Sequence, residues 1–441
     1  MPRVLSGPFQ RALVVENPHP SLDDLLQEGA FEEVVRVAEA PNAETLLKLL
    51  NEHRSQVLFK RSRVPVTREV LEGASDLMAI QLCCIGDDSI DKAAAAEQGV
   101  LIFNDPVSNG RSVVELVVAN LIALSRRLYQ SDRETHEGNW QKNNHERYEI
   151  RGKVLGIVGL GNIGRATARV CDALGMEICF YDNRRVAQEV GQEMGWRSAD
   201  SLESLFESCD YVTLHPSAVD WQGRSNDGLI TRELLMRLGS KRPESSPRIY
   251  LNLSRGFLHA PQDLLDAIEA GVIRRAAVDV YPSEPRAKGP GWTKNPYANE
   301  PRVICSPHIG AATQEAQPRI ALRVSRTTNG FSERGAIRDC VYSPRTQISM
   351  ADDLRAGRAV LVVVHSTTRG TKRALDAAIF EAGADNLRSE HQDLGDWGIA
   401  VDVNLLDRPL PRSALDSIVA RTEALSGESG AVRSIRQVLL S

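Results

Sequence analysis

Lys153-Val-Leu-Gly-Ile-Val158-Gly159-Leu-Gly161-Asn-Ile-Gly164 reads as a buried strand, a glycine turn and the first residues of a helix. Gly159 permits the tight turn, Gly161 removes a side chain that would block a pyrophosphate, and Gly164 lets helix and strand approach closely. The unpaired N–H groups and the positive end of the helix then face the phosphates of a dinucleotide. Asp182 follows the next apolar run, 18 residues beyond Gly164. A carboxylate there accepts both ribose hydroxyls and repels a 2′-phosphate, which favours NAD. Asn183-Arg184-Arg185 stands directly after it, and either arginine could hold a 2′-phosphate instead.

From this point the pattern extends in both directions. Strands are expected at 154–158, 177–181, 211–214, 248–251, 276–280 and 303–305. Helices are expected at 163–174, 202–208, 232–238, 261–270 and 313–328. Upstream, 11–16, 56–59, 77–82 and 100–104 read as buried parallel strands, with helices at 43–52, 68–74 and 89–98. Ser108-Asn109 reads as the cap of one amphipathic helix running from about 111 to 137. The segment 241–247 reads as an exposed loop. After a polar connector at 340–357, strands at 359–364, 387–392, 398–403 and 432–440 alternate with helices at 371–382 and 412–425. That βαββαβ order is of the ferredoxin-like kind.

With 441 residues, 42% hydrophobic and 25% charged, several soluble domains are expected. The net charge of −5 gives no basic footprint for nucleic acid, so an anionic ligand needs a local cluster of cations. No apolar run reaches the roughly 18 residues of a membrane span, and Met1-Pro-Arg-Val-Leu-Ser-Gly-Pro has neither the charged region nor the apolar run of a signal peptide. Seven cysteines without a CxxC pair form neither a disulfide framework nor a zinc pattern, so no metal is expected and the cytoplasm is the expected compartment.

Three segments downstream of the glycine turn carry the chemistry: Arg255 in Asn-Leu-Ser-Arg-Gly, Glu284 in Tyr-Pro-Ser-Glu-Pro, and His308 in Ser-Pro-His-Ile-Gly. Arginine stays charged and offers a planar fork to a carboxylate and a ketone. Histidine titrates near working pH, and a carboxylate on its second nitrogen orients and charges it. Each follows a different strand, and ligands collect at the carboxyl ends of parallel strands.

In this order, with Phe103-Asn-Asp-Pro-Val-Ser-Asn109-Gly-Arg, Ala277-Val-Asp279-Val-Tyr-Pro-Ser-Glu-Pro285 and Pro307-His-Ile-Gly-Ala-Ala-Thr around them, the chain resembles the D-2-hydroxyacid dehydrogenases over nearly its whole length. Within that family it is most similar to the members that carry a C-terminal ACT domain and oxidise D-3-phosphoglycerate for serine synthesis. The resemblance implies an α/β fold: a Rossmann-type nucleotide domain (109–300) inserted in a flavodoxin-like substrate domain (1–108 and 301–340), followed by an ACT-like domain (357–441). Hinges are expected near 104–109 and 300–306.

The resemblance also implies roles. His308 would exchange the proton, Glu284 would raise its pKa, and Arg255 would bind substrate. Gly159, Gly161, Asn162, Ile163 and Gly164 would hold the pyrophosphate and Asp182 the ribose of NAD. His215, Leu253, Ser254, Asp279 and Gly310 would line the rest of the cofactor. Backbone groups of Cys84, Ile85 and Gly86, with Asn109, would take the substrate carboxylate. Arg61 and Ser62 would reach a phosphate, and Lys142 would do so from a second subunit of a homotetramer.

Some departures leave the substrate open among 2-oxo acids, 2-oxoglutarate and glyoxylate included. Asp88 stands where relatives usually carry Asn, Leu214-His-Pro-Ser replaces Leu-His-Val-Pro, and Ala311 replaces glycine. A non-enzymatic NADH-sensing protein on the same fold is a further alternative. His365 matches the start of a serine-binding His-x-Asn pattern, but Thr367 replaces the Asn and Gly370 lacks the preceding proline, so weak or absent serine inhibition is expected.

Overall fold

A computed structural model of the chain describes residues 2–440 except 223, 286–288, 290, 291, 345 and 351–354. The chain divides into two compact units, Met1–Ser108 with Gln317–Ser441, and Asn109–Ala316.

The first unit holds two sheets. Strands β2 (Arg11–Val15), β3 (Glu33–Val37), β4 (Val57–Lys60), β5 (Ala79–Leu82) and β6 (Leu101–Phe103) form one, while β1 (Arg3–Ser6) goes elsewhere. Their order, β3-β2-β4-β5-β6, all parallel, is the flavodoxin-like 2-1-3-4-5 arrangement. Buried apolar residues fill β2, β4, β5 and β6, as expected of parallel strands covered on both faces, while the edge strand β3 is only half buried. Two of the helices start at side-chain caps: Asn42 accepts from the Thr45 N–H at 2.8 Å and Asp91 from the Ala94 N–H at 2.9 Å.

The second unit is one parallel sheet of β7 (Val154–Val158), β8 (Glu177–Tyr181), β9 (Arg197–Ser198), β10 (Tyr211–Leu214), β11 (Ile249–Asn252), β12 (Arg275–Val278) and β13 (Val303–Cys305). The order β13-β12-β11-β10-β7-β8-β9 is the doubly wound pattern, with its reversal point between β7 and β10. Because β13 pairs with β12, the sheet runs past residue 300, where the sequence reading ended this domain. The long helix also differs from expectation. It breaks at Arg127, which adopts φ +54°, so Gly110–Arg126 and Leu128–His136 are separate helices. Asn109 makes no side-chain cap, and the N–H groups of Val107 and Ser108 are taken by Asp105 Oδ1 instead.

The C-terminal stretch returns to the first unit as β14 (Ala359–Ser366), β15 (Asn386–Leu394), β16 (Ile399–Leu406) and β17 (Val432–Leu439), with helices Thr371–Glu381 and Arg412–Ser426 on one face. Strand β1 pairs parallel with β17 and completes a five-stranded sheet, β1-β17-β14-β16-β15. Residues 3–6 therefore belong to this sheet and not to the flavodoxin-like one. The connector after Cys340 is less solvated than its composition suggests: Cys340, Tyr342, Ile348 and Met350 are buried, and the Tyr342 hydroxyl donates to the Val100 carbonyl at 3.1 Å. Positions 345 and 351–354 of that connector lie outside the described residues.

Arg436 on β17 is fully buried between the rings of Phe9 and Phe331, 4.5 and 4.4 Å from their centroids, and donates to the carbonyls of Phe331 and Ser332. A lysine cannot stack on both rings and fill both carbonyls. Arg436→Lys is expected to cost about 2 kcal/mol or more, read as a lowered midpoint in urea unfolding.

Candidate active site

Six neighbouring strands of the second unit each deliver a residue of interest from their carboxyl ends. Gly159 follows β7, Asp182 follows β8, His215 follows β10, Leu253 to Arg255 follow β11, Asp279 to Glu284 follow β12, and Ser306 to Gly310 follow β13. This is the edge at which a doubly wound sheet binds ligands.

Its glycine turn has the geometry of a phosphate cradle. Gly159 sits at φ +87°, with the His215–Pro216 peptide 3.1 Å from where a Cβ would stand. A Cβ at Gly164 would lie 2.1 Å from the Gly159 carbonyl oxygen, so only glycine lets the helix Asn162–Ala173 approach. At Gly161 that position is open except for the Arg184 guanidinium 3.9 Å away. Asn162 is exposed, and Ile163 borders Gly110 at the start of the neighbouring helix. The Asn109 amide oxygen is buried and lacks a hydrogen-bond partner among the described residues, as a group that awaits a ligand would. Burial lowers the His215 pKa to about 3, so its ring is neutral.

Asp182 is more occupied than its expected ribose role requires. Oδ1 accepts from the Arg184 N–H and Nε, both at 2.9 Å. Oδ2 accepts from the Leu160 N–H and Arg184 Nη2, both at 2.8 Å. These four bonds use the lone-pair sites of the carboxylate. A ribose can engage Asp182 only as Arg184 yields part of that fork, which places an arginine over the glycine turn and beside the ribose acid at once.

His308 Nδ1 and Glu284 Oε2 are 2.8 Å apart, with the side chains 49% and 35% exposed. The Glu284 bond raises the His308 pKa above the ordinary imidazole value, against the opposing pull of burial. Burial alone would raise Glu284, but its bond and charge attraction to His308, with the Tyr281 N–H and the Arg255 charge, together hold the acid below the usual carboxylate range. The other oxygen, Oε1, accepts from the Tyr281 N–H at 3.2 Å. Arg255 contributes electrostatically to both, lowering each pKa, so the three groups share one field.

Residues with no such expected role hold this arrangement. Asp279 Oδ1 accepts from the Ser306 hydroxyl at 2.6 Å and the Ile309 N–H at 2.9 Å, and Oδ2 from the Gly310 N–H at 2.9 Å. Asp279 thus anchors the His308 loop, and His308 itself takes the left-handed φ of +54°. Asn252 does the same for the arginine: its amide donates to the Arg255 carbonyl at 2.9 Å, and its oxygen accepts from the Ser254 N–H at 3.1 Å. The Ser254 hydroxyl donates to the Pro216 carbonyl. A Cβ at Gly256 would lie 2.1 Å from the Tyr281 carbonyl carbon, so glycine there lets the arginine loop rest on the glutamate loop. Asn252, Gly256 and Tyr281 are the end residues of the quoted segments, but the packing of Gly256 on Tyr281 joins different strands and is not visible along the chain.

In the first unit, Arg61 and Ser62 follow β4, and Cys84, Ile85 and Gly86 lie just beyond β5, its neighbour. Buried Lys60 links the two loops through the Arg61 carbonyl and the Ser89 hydroxyl, both at 2.7 Å. The Ile85 carbonyl accepts from Asn104 at 2.9 Å. Lys142 is exposed in the second unit and makes no hydrogen bond or ion pair among the described residues.

A dinucleotide cradle and an acid–base dyad on one parallel sheet define a nicotinamide-dependent oxidoreductase. The model of the D-isomer specific 2-hydroxyacid dehydrogenase NAD-binding domain matches residues 118–310. D-3-phosphoglycerate dehydrogenase of Dictyostelium discoideum is 32% identical over 373 residues, covering 84% of this chain and 86% of that protein. The Escherichia coli K12 protein of the same name is 30% identical over 415 residues, 92% and 94% of the two chains. In fold, a glyoxylate reductase from Paecilomyes thermophila matches with a TM-score of 0.64 at 22% identity, over 75% of this chain and 98% of that one. The chain belongs to the D-2-hydroxyacid dehydrogenase family.

Two outcomes follow from the geometry. Reduction of a 2-oxo acid needs His308 protonated, so its rate should fall as pH rises through a pKa above that of free imidazole. In Glu284→Gln that limb should move to lower pH, measured as kcat/KM against pH. Arg184→Ala should leave NADH efficiency within a few-fold but lower the efficiency with NADPH about tenfold, because Asp182 then faces a 2′-phosphate without its cation.

Proposed function

We propose that the chain interconverts D-3-phosphoglycerate and 3-phosphohydroxypyruvate with NAD, the oxidation that opens a route from glycolysis to serine. The observation that carries the chemical step is the 2.8 Å contact of His308 Nδ1 with Glu284, which commits Nε2 to the substrate oxygen. The choice of substrate is supported by the named relatives at about 30% identity over most of the chain.

In reduction, Arg255 holds the 2-oxo acid by its carboxylate and polarises the ketone. His308 Nε2 gives its proton to the oxygen that becomes the hydroxyl, and Glu284 stabilises the imidazolium beforehand. In oxidation the neutral ring takes that proton back. The bound nicotinamide supplies or accepts the hydride. Asp279 and Asn252 keep the histidine and arginine loops in place throughout. In this reading the N–H groups around Cys84–Gly86 take the carboxylate, and Arg61, Ser62 and a partner subunit's lysine at position 142 meet the phosphate. Asn109 adds a buried amide. The C-terminal sheet acts as an ACT-like assembly domain of a homotetramer. Seven free cysteines fit a reducing cytoplasm, and no described helix is long and apolar enough to cross a membrane.

NADH oxidation with 3-phosphohydroxypyruvate, 2-oxoglutarate, glyoxylate and pyruvate tests the proposal. The phosphorylated acid is expected to give the highest kcat/KM, by about tenfold or more. Preference for another acid would move the substrate assignment, and NADH binding with no turnover on any would remove the enzymatic one. His308→Ala and Arg255→Ala should each lower turnover roughly 10²-fold while leaving NADH affinity nearly intact.

A further inference from the structure

Far along the chain from the dyad, three strands of the C-terminal sheet bring two imidazoles onto one buried carboxylate. His391 on β15 is the direct cross-strand partner of Asp402 on β16. On the other side, Asp402 pairs with Val363 of β14, and His365 stands two residues further along that strand, hence on the same face. His365 Nε2 lies 2.7 Å from Asp402 Oδ2, and His391 Nδ1 lies 3.0 Å from Oδ1. The rings stack at 23° with centroids 5.9 Å apart. Asp402 and His365 are buried, whereas His391 is 39% exposed and opens the cluster to solvent.

The hydrogen positions decide what this cluster needs. His365 Nδ1 is 2.7 Å from the Ser366 carbonyl oxygen, which can only accept, so the ring hydrogen sits on Nδ1. A neutral ring then aims its Nε2 lone pair at a carboxylate oxygen 2.7 Å away. Two electron pairs do not meet at that distance without a positive charge between them. Either a second proton or a metal ion supplies it. Metal-binding histidines hold their other ring N–H on a backbone carbonyl in just this way, which fixes the bare nitrogen toward the ion.

We propose that His365, His391 and Asp402 form a site for a divalent cation of the zinc class. Two imidazoles and one carboxylate suit zinc, cobalt or nickel better than magnesium or calcium, which prefer an all-oxygen shell. The three donor atoms already lie within 4.8 Å of one another. Bonds of about 2.0–2.1 Å would set them roughly 3.3 Å apart, so Nε2 and Oδ2 need separate by only about 0.6 Å. Lys372 is the competitor, with Nζ 3.5 Å from Asp402 Oδ1. It can withdraw without being stranded, because it also contacts Asp376 at 2.6 Å and the Ser389 hydroxyl at 3.1 Å. The ion would staple β14, β16 and β15 across their side chains and keep a fourth position open beside His391.

Zinc chloride titrated calorimetrically into the full-length, chelator-treated protein under a non-thiol reductant tests this, with cobalt absorbance as a second readout. One ion per chain is expected to bind in the micromolar range or tighter. His391→Ala, a substitution at a partly exposed ring, should weaken it at least about tenfold and abolish the cobalt d–d band, and Lys372→Gln should tighten it. Dehydrogenase assays play no part, so the outcome is separate from the proposed reaction. Unchanged affinity in His391→Ala would assign any zinc to other groups and overturn the site. No binding to the wild-type chain would leave a proton as the bridging charge and overturn it equally.

Discussion

The Asp279 carboxylate is the constraint on which the reactive arrangement depends. It gathers one hydroxyl and two backbone N–H groups from Ser306, Ile309 and Gly310, the residues on both sides of His308. With its neighbours tied down, His308 is held in a left-handed conformation that a non-glycine residue adopts only when its surroundings over-determine it, at a cost on the order of 1 kcal/mol or more. Burial raises the Asp279 pKa, and the three donors work in the opposite direction, toward the ionised form. The acid is thus an organising charge as well as a neighbour of the expected nicotinamide position. Asn252 repeats the device for Arg255 with a neutral amide, backed by buried His259, whose Nδ1 faces the Asn252 amide at 3.2 Å while Nε2 meets the Tyr297 hydroxyl at 2.9 Å.

Such anchoring is needed because the reacting groups arrive from separate strands. Parallel pairing fixes the ends of β11, β12 and β13 side by side, but the loops beyond them are free to choose many paths. Gly256 resting on Tyr281 and the Tyr281 hydroxyl donating to the Ser306 carbonyl at 3.1 Å lock the middle loop to both neighbours.

The parts legible in the sequence are those where local chemistry and tertiary demand coincide. Strand β7, the glycine turn and Asp182 announce themselves because each residue type is required by a backbone conformation or a neighbouring helix. The limits of β7, β8 and β10 were read correctly because they are largely buried, nearly continuous apolar runs, and those of the short edge strand β13 because Val303-Ile-Cys305 is an apolar run between polar residues. Strand β3 escaped notice because Glu33 and Arg36 interrupt an edge strand that is only half buried. The break at Arg127 has no glycine or proline to mark it, since the left-handed residue is an arginine inside an unbroken amphipathic pattern. Strand β1 could not be placed from sequence, because its partner β17 lies more than 400 residues away. The three-part cluster on β14, β15 and β16 likewise arises from sheet register, which spacing along the chain does not reveal.

Buried arginines explain how β1 and β17 are held to the rest of the first unit. Arg3 donates to the carbonyls of Leu71, Ala74 and Gln98, at the carboxyl ends of the helices Arg68–Gly73 and Lys92–Glu97. Arg436 does the same near the end of Ala316–Arg334 through Phe331 and Ser332, and the Ser434 hydroxyl reaches the Gly99 carbonyl at 2.7 Å. Helix carboxyl ends carry partial negative charge and unfilled carbonyls, so they solvate a cation without a buried acid. Desolvation still lowers both pKa values, to about 10 for Arg3 and about 9 for Arg436, but both remain charged at neutral pH. Carboxylate partners would have made equally strong contacts, yet each would add a second ion to desolvate. The carbonyls are present already, so the same bonds that solvate the arginines also tie down the carboxyl ends of three helices.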